Sequence, residues 1–438
     1  MDISELYEIF KSHPVVTTDS RDCPENSIFF ALKGPSFDGN KFAAAALDKG
    51  CAYAVVDNPD YAADARCILT DNCLKTLQAL ALYHRRQFDI PVIGITGTNG
   101  KTTTKELVSA VLAEKYRVLF TAGNFNNDIG VPKTLLRLNA DYDIAVVEMG
   151  ANHPGDIKTL VEIVEPDYGL ITNVGRAHLQ GFGSFEGVMR TKGELYDFLR
   201  MRRGSTTFIN ADNAHLTAMA KGLPAMVTYS HGGGRTADVT GEVIDCAPML
   251  RFRWRYGNGN EEQTASWHEV KTQLIGAYNI DNMLAAITVG THFGVTAQAI
   301  CHALESYKPS NNRSQLTITP HNHLVVDAYN ANPTSMAAAL DNFSLMQVSP
   351  KMAIIGEMRE LGDVSDEEHR KVVAMLERAA FGEVWLVGDA FSNIPCSFRK
   401  FHSVEEVKAE LDVHKPSDRY ILIKGSNGTR LFELVDLL

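Results

Sequence analysis

Positive charge is in short supply in this chain. Lys plus Arg number 42 against 53 Asp plus Glu, a formal net charge of −11. Such a balance lacks the broad positive field that nucleic acid or an anionic membrane surface attracts, so an anionic ligand has to be held by a local pocket. Cysteine is sparse and unpatterned. Cys23, Cys51, Cys67, Cys73, Cys246, Cys301 and Cys396 are odd in number and form no C-x-x-C pair, which gives neither a zinc site nor a disulfide framework and fits a reducing cytoplasm. No apolar run reaches the ~18 residues of a membrane span, and the opening MDISELYEIFKSHP has acids where a secretory leader has bases, so the expectation is a soluble cytoplasmic protein with no membrane insertion. H-E-x-x-H, EF-hand and G-x-S-x-G patterns are missing too. His231-Gly232-Gly233-Gly234 resembles a lipase oxyanion loop, but without a nucleophile elbow to serve it reads as a flexible loop.

What is present is the make-up of a folded protein, 45% hydrophobic and 22% charged over 438 residues. At roughly 150 residues per domain that length gives about three domains. Val- and Ile-rich runs at 91–96, 143–149, 168–172, 324–328, 352–356, 384–388 and 420–424 alternate with amphipathic stretches, as parallel sheets in α/β domains do. The segment 102–114 sets Leu107, Val108, Val111 and Leu112 on one helical face, and Ser365 with Glu368 predicts a capping box opening a helix over 366–380. The polar stretches HRRQFD before Pro91 and KPSNNRS at 308–314 place breaks near 88 and 309, hence domains at 1–88, 89–309 and 310–438. RFRWRYGNGNEE (251–262) alternates arginine with aromatics; on an acidic chain it reads as a half-buried hairpin strand rather than a nucleic-acid face.

The strongest chemical signal is the strand PVIGIT running through Gly97-Thr98-Asn99-Gly100-Lys101-Thr102-Thr103 into a helix. Glycines let backbone N–H groups approach phosphate oxygens, the helix amino terminus adds its dipole, Lys101 adds a point charge, and the Thr102 hydroxyl can ligate Mg²⁺. The strict Walker spacing is not met, because Ile95 stands where the first glycine belongs. A Mg²⁺-nucleotide needs more ligands at the same sheet edge, and Glu148, ending one strand, and His178, just past another, are candidates. Each has a plain alternative: a solvent-facing strand-end acid, and a hydrogen-bonded loop histidine. Asp327 ends a third strand, where it could bind a ribose hydroxyl or form an Asx turn.

Nine blocks in one order, among them GITGTNGKTTTKE (94–106), TAGNFNNDIGVPKTLL (121–136), VVEMGANHPGDI (146–157), AHLQGFGSFEGVMRTKGELY (177–196), GAYNIDNMLAA (276–286), DAYNANPTSM (327–336) and IKGS (423–426), resemble the Mur ligase family over nearly the whole chain. The resemblance implies an α/β chain of three domains: a small amino-terminal domain for a uridine diphosphate, a central P-loop-type parallel-sheet ATPase domain, and a Rossmann-like carboxyl-terminal acceptor domain. It implies an ADP-forming ligase that uses ATP and Mg²⁺ in peptidoglycan precursor synthesis, joining D-alanyl-D-alanine to UDP-N-acetylmuramoyl-tripeptide through an acyl phosphate. By position it puts Ser20 and Arg21 at the uridine nucleotide, Asn126 and Asn127 toward the muramoyl substrate, and Tyr329 and Asn330 on the acceptor side. Asn279 and Asn282 fall near the adenine or, read locally, cap a helix; Arg313 and Asp327 reach the nucleotide from the third domain, and Glu148 and His178 hold metal.

For Lys192 the resemblance implies carbamylation, against the plain reading of a surface helix lysine. The family's usual Pro-Gly-Arg is Asn311-Asn312-Arg313 here, and its Arg after Lys-Gly-Ser is Asn427, with Arg430 three residues on. Rival readings are a relative that adds a single amino acid, a folylpolyglutamate-synthase-like ligase, and, from another class, a P-loop switch that spends ATP on a change of shape. Because the ATP loop and the acceptor residues lie in different domains, completing the site is expected to take a rotation about the linker near 309.

Overall fold

The computed structural model describes residues 1–232, 236–257, 266–309, 313, 315–379 and 381–438. Their strands form three main sheets and one short ribbon. The first sheet is parallel, in the order Val16–Thr17, Ile28–Phe30, Tyr53–Val56, Cys67–Leu69. The second has nine strands, from His268–Ile275 at one edge through Met249–Tyr256, Val239–Cys246, Met226–Ser230, Thr206–Asn210, Tyr168–Ile171, Val92–Thr96 and Ile144–Glu148 to Val118–Phe120. The third has six: Gln315–Ile318, Asn322–Asp327, Arg419–Lys424, Lys351–Gly356, Glu383–Val387, Arg399–Phe401. All seven runs read as strands from the sequence are strands.

Val92–Thr96 and Ile144–Glu148 are buried along their whole length, which is why they read as continuous apolar runs. The strand Met249–Tyr256, next to the edge, is antiparallel to both neighbours and alternates instead: Leu250, Phe252 and Trp254 face the core while Arg251 pairs with Asp245 and Glu269, and Arg253 with Glu242. Two of those arginines are thus neutralised across the ladder, as a half-buried strand requires. The turn beyond Gly257 lies outside the described residues, as do Gly233, Gly234, Asn311 and Asn312.

The helix Lys101–Ala113 buries Leu107, Val108, Val111 and Leu112, as the periodicity predicts, and leads to the sheet edge at Val118–Phe120. Tyr168–Ile171 adds on the other flank of Val92–Thr96, so the strand order reverses there and opens a crevice outside the carboxyl ends. The helix at Ser365–Ala379 forms without the expected capping box. Ser365 itself is helical (φ −53°, ψ −52°), continuing a 3₁₀ turn over Gly362–Val364, and Glu368 turns to Arg176 and Lys371. No helix of the described residues is long and apolar enough to cross a membrane.

The stretch HRRQFD, beside which the sequence places a break, carries two buried residues that tie the first segment to the second. The apolar cluster containing Leu6, Phe10, Leu77 and Leu80 runs on into Val131, Leu135, Leu138 and Val164 of the middle segment. Buried Arg85 donates to the carbonyl oxygens of Val164 and Phe88 and pairs with Asp167. Buried His84 bridges the Tyr7 hydroxyl (3.1 Å) and the Leu138 carbonyl (2.9 Å). A carbonyl only accepts, so Nε2 carries the proton and Nδ1 accepts from Tyr7: the ring is neutral. Burial lowers its pKa below 6.5. The unfolded chain therefore binds more protons below about pH 6.5, and His84's contribution to stability, complete above that value, is lost as pH falls toward the folded pKa. Melting temperature should decline from about pH 7.5 to about pH 5.5, and less steeply in His84→Gln. Equal slopes would show that His84 is not the group that titrates.

Candidate active site

The loop between Val92–Thr96 and the helix Lys101–Ala113 takes its shape from its glycines. Gly97 has φ +142° and Gly100 φ +77°; an added Cβ would lie 2.0 Å from Thr172 Oγ1 in the first case and 2.5 Å from Asn282 Oδ1 in the second. The loop is strapped to the segment after Tyr168–Ile171: Thr98 N donates to Asn173 O (2.9 Å), Asn99 N to Asn173 Oδ1 (3.0 Å), and Thr172 Oγ1 to Asn99 O (2.6 Å). Lys101 Nζ folds back onto the Gly97 and Thr98 carbonyls at 2.9 and 3.1 Å, its pKa lowered by burial and by nearby Arg313 against the pull of Glu148.

Glu148 is fully buried, which rules out the solvent-facing alternative. Its Oε1 accepts from Thr102 Oγ1 (3.0 Å) and Asn126 Nδ2 (2.7 Å), while its buried Oε2 has no hydrogen-bond partner among the described residues. Among those residues no cluster of three or more His, Cys, Asp or Glu side chains has metal-binding spacing. A bare carboxylate oxygen beside a threonine hydroxyl nevertheless fits Mg²⁺, a hard ion that completes its shell with phosphate and water oxygens. His178 lies at the same cleft, and its Nδ1 pairs with Glu360 of the third segment; burial lowers its pKa, with Glu360 opposing. Lys192 is 2% exposed, so it is no surface lysine. Burial, then the charge of Lys101, hold its amine well below the usual lysine value against the pull of Asp156 and Glu194.

One cleft of about 850 Å³ is lined by Thr98–Thr103, Asn126, Asn127, Glu148, His178, Asn279, Asn282, Arg313, Asp327, Tyr329 and Asn330. The helix-cap alternative for the asparagines falls: Asn279 makes no side-chain cap bond, and a buried chain runs from Ile275 O through Asn279 and Asn282 to Thr104 Oγ1. Asp327 forms no Asx turn but pairs with buried Lys424 at 2.6 Å, its neighbour in strand register. Arg313 lies over the Tyr329 ring at 3.8 Å, and Asn330 Oδ1 accepts from Ala331 N. Asn127, expected to face substrate, uses its Oδ1 to accept from Ile129 N and Gly130 N at the start of Gly130–Leu135. Ser20 and Arg21 are not brought to the cleft; Arg21 is exposed and paired with Asp19.

Sequence reasoning missed the contacts that seat the third segment. Asn332 Nδ2 donates to Asn99 Oδ1 (2.7 Å), Arg176 N to Thr334 Oγ1 (3.2 Å), and Gln180 N to Glu360 O (3.3 Å). Loop and acceptor residues already touch, the joined arrangement that the rotation is expected to reach. Asn332 carries one local signal, its capping box with Ser335; Glu360 and Asn173 carry none. Near the departure at Asn427, Arg430 is occupied by Glu433 and Glu405, and the arginine against that turn is Arg359, whose guanidinium lies 2.1 Å from where a Gly428 Cβ would stand.

Residues 95–290 match the Mur ligase middle domain, 312–427 the Mur ligase glutamate ligase domain, and 14–87 the Mur ligase family catalytic domain. The chain is similar to the UDP-N-acetylmuramoyl-tripeptide--D-alanyl-D-alanine ligases of Treponema pallidum (31% identity, 97% of this chain and 93% of that one) and Escherichia coli (33%, 97% and 93%). Among solved structures it is similar to MurF from Acinetobacter baumannii (TM-score 0.87, 30% identity, 99% and 98% covered). A second, MurF ligase from Thermotoga maritima in complex with ADP, has TM-score 0.85 at 26% identity, with 97% and 96% covered.

The loop geometry gives a direct test. Gly100→Ala meets both the positive φ and Asn282, so ADP affinity measured by calorimetry should fall at least about tenfold while circular dichroism stays native. Unchanged affinity would mean that the loop does not hold phosphate.

Proposed function

This chain belongs to the Mur ligase family, and from that premise we propose that it joins D-alanyl-D-alanine to UDP-N-acetylmuramoyl-tripeptide at the expense of ATP, in the cytoplasm. The observation that carries the reading is the shared cleft: a phosphate-type loop, a buried carboxylate with one bare oxygen, and the Arg313–Asn330 side of another sheet line one volume. We draw the working units at 1–88, 89–309 and 310–438, the first holding the uridine nucleotide near Ser20 and Arg21.

A free carboxylate is a poor acyl donor, because oxide would have to leave. Transfer of the γ-phosphoryl group to the tripeptide carboxylate makes an acyl phosphate; the dipeptide amine then attacks the carbonyl carbon, and phosphate departs with the C–O bonding pair. The protein's part is placement and charge neutralisation. Lys101 exchanges its loop carbonyls for phosphate oxygens, and Arg313, stacked on Tyr329, meets the nucleotide from the opposite wall. Asn279 and Asn282 present amides to the adenine, and Asn126 sets the muramoyl side while anchoring Glu148. Thr102, Glu148 and His178 would hold Mg²⁺, which offsets phosphate charge when bound.

Lys192 supports that centre as a carbamate: its neutral amine adds to CO₂, forming the N–C bond and releasing one proton. Burial of an amine that is cheap to keep neutral supports the assignment. The segment that bonds Asn99 and His178 must move aside for substrates to enter, which makes closure part of the cycle.

With ATP, the tripeptide nucleotide and the dipeptide, ADP and phosphate should form only when both acceptor and donor are present; equal ADP without either would reject the ligase reading. Lys101→Ala should abolish turnover in a folded protein. In ¹³C-bicarbonate, wild type should give a carbamate carbon resonance that Lys192→Ala lacks, and its absence from wild type would leave Lys192 unmodified.

A further inference from the structure

Glu360 has no role in the chemistry above, yet the backbone is bent to present it. It lies in the loop after Lys351–Gly356 with φ +63°, and its partner His178 has φ +49°. Left-handed backbone is unfavourable for any residue with a Cβ, and it persists where the surroundings over-determine it. Here two such residues, in loops that follow strands of different sheets, face each other with His178 Nδ1 against Glu360 Oε2. The contact is doubled by Gln180 N donating to Glu360 O at 3.3 Å.

The Glu360 loop is itself fixed. Met358 N donates to His369 Nε2 and Arg359 N to Ser426 Oγ, each at 2.9 Å. The His178 loop is fixed to the phosphate loop in turn, Gly175 N donating to Thr98 Oγ1 at 3.0 Å. A rigid third-segment carboxylate is thus set against one ring nitrogen of the histidine whose other nitrogen remains for the cleft.

We propose that Glu360 is a positioning residue: it accepts from His178 Nδ1–H, fixes that tautomer and ring orientation, leaves the Nε2 lone pair for the cleft, and does so only while the third segment is seated. The role in turnover rests on the ligase reading; the tautomer does not. A carboxylate behind a ligating histidine generally sets which nitrogen carries the proton. Drawn from the third segment, it makes a competent His178 conditional on closure, so phosphoryl transfer waits for the acceptor side to arrive. Arg176 pairs with Glu368 across the same interface without touching His178, and provides the control.

The full chain labelled with ¹⁵N-histidine, free of ligands, reads the tautomer directly, His178 being identified among the 14 histidines by the signal lost in His178→Gln. Wild type should show the Nδ1–H form, Glu360→Ala an averaged or Nε2–H form, and Arg176→Ala the wild-type form. In turnover, Glu360→Ala should lower kcat at least about tenfold with the KM for ATP within about twofold, and Glu360→Gln, whose amide oxygen still accepts, should recover part of it. Glu360→Gly, which relieves the backbone, should melt no lower than wild type yet turn over as poorly as Glu360→Ala. An unchanged His178 signal in Glu360→Ala, or an equal kcat loss in Arg176→Ala, would overturn the proposal. A wild type with no ligation at all would instead reject the ligase reading, and the tautomer measurement would still decide the pairing.

Discussion

A carboxylate buried at the end of a fully buried strand is the constraint around which this molecule is arranged. Ile144–Glu148 has no exposed residue, so Glu148 enters the interior as part of the strand. An unpaired charge there costs several kcal/mol. Thr102 and Asn126 satisfy one oxygen and leave the other bare. The neighbouring segment is held for that purpose: fully buried Lys105, one turn along the phosphate-loop helix, donates to Thr121 O at 2.8 Å, and Thr121 Oγ1 accepts from Glu148 N at 3.0 Å. That bare oxygen is the feature on which the proposed cation site rests.

The second requirement is that three sheets meet without sharing a hydrogen-bonded edge. The first and second are joined by a continuous apolar cluster and the His84 and Arg85 bonds; the third packs on the second through Ile275 and Met249, which join its apolar core, and through polar contacts onto residues 173–180 and Asn99. Apolar and polar contacts at such a joint behave differently. An apolar joint with buried polar bonds is costly to open, whereas hydrogen bonds and ion pairs at a cleft exchange readily with water. The polar contacts at the cleft are therefore the part of the third segment's joint that costs least to open.

Much of this was legible in the sequence because buried parallel strands and amphipathic helices leave strong periodic signals: seven runs became seven strands, and the helix face at Leu107, Val108, Val111 and Leu112 is where the spacing put it. The turn between Val92–Thr96 and Lys101–Ala113 was legible because its glycines are sterically required. Local chemistry misled where tertiary partners outbid it. Ser365 with Glu368 is a sound capping box, but Arg176 claims the glutamate; Asp327 is a sound Asx turn, but Lys424 lies in register beside it. Glu360 and Asn173 could not be read at all, since their partners lie more than seventy residues away and nothing near them in sequence marks the contact.

The central claim is that the cleft joins a phosphoryl donor to a carboxylate before the amine attacks, and isotope transfer tests it most directly. Tripeptide nucleotide carrying ¹⁸O in its terminal carboxylate, turned over with ATP and the dipeptide, should release phosphate bearing one ¹⁸O per peptide bond formed, because the oxygen that accepts the phosphoryl group leaves with it. Unlabelled phosphate, with both ¹⁸O atoms retained on the unreacted carboxylate while ADP accumulates, would contradict the account.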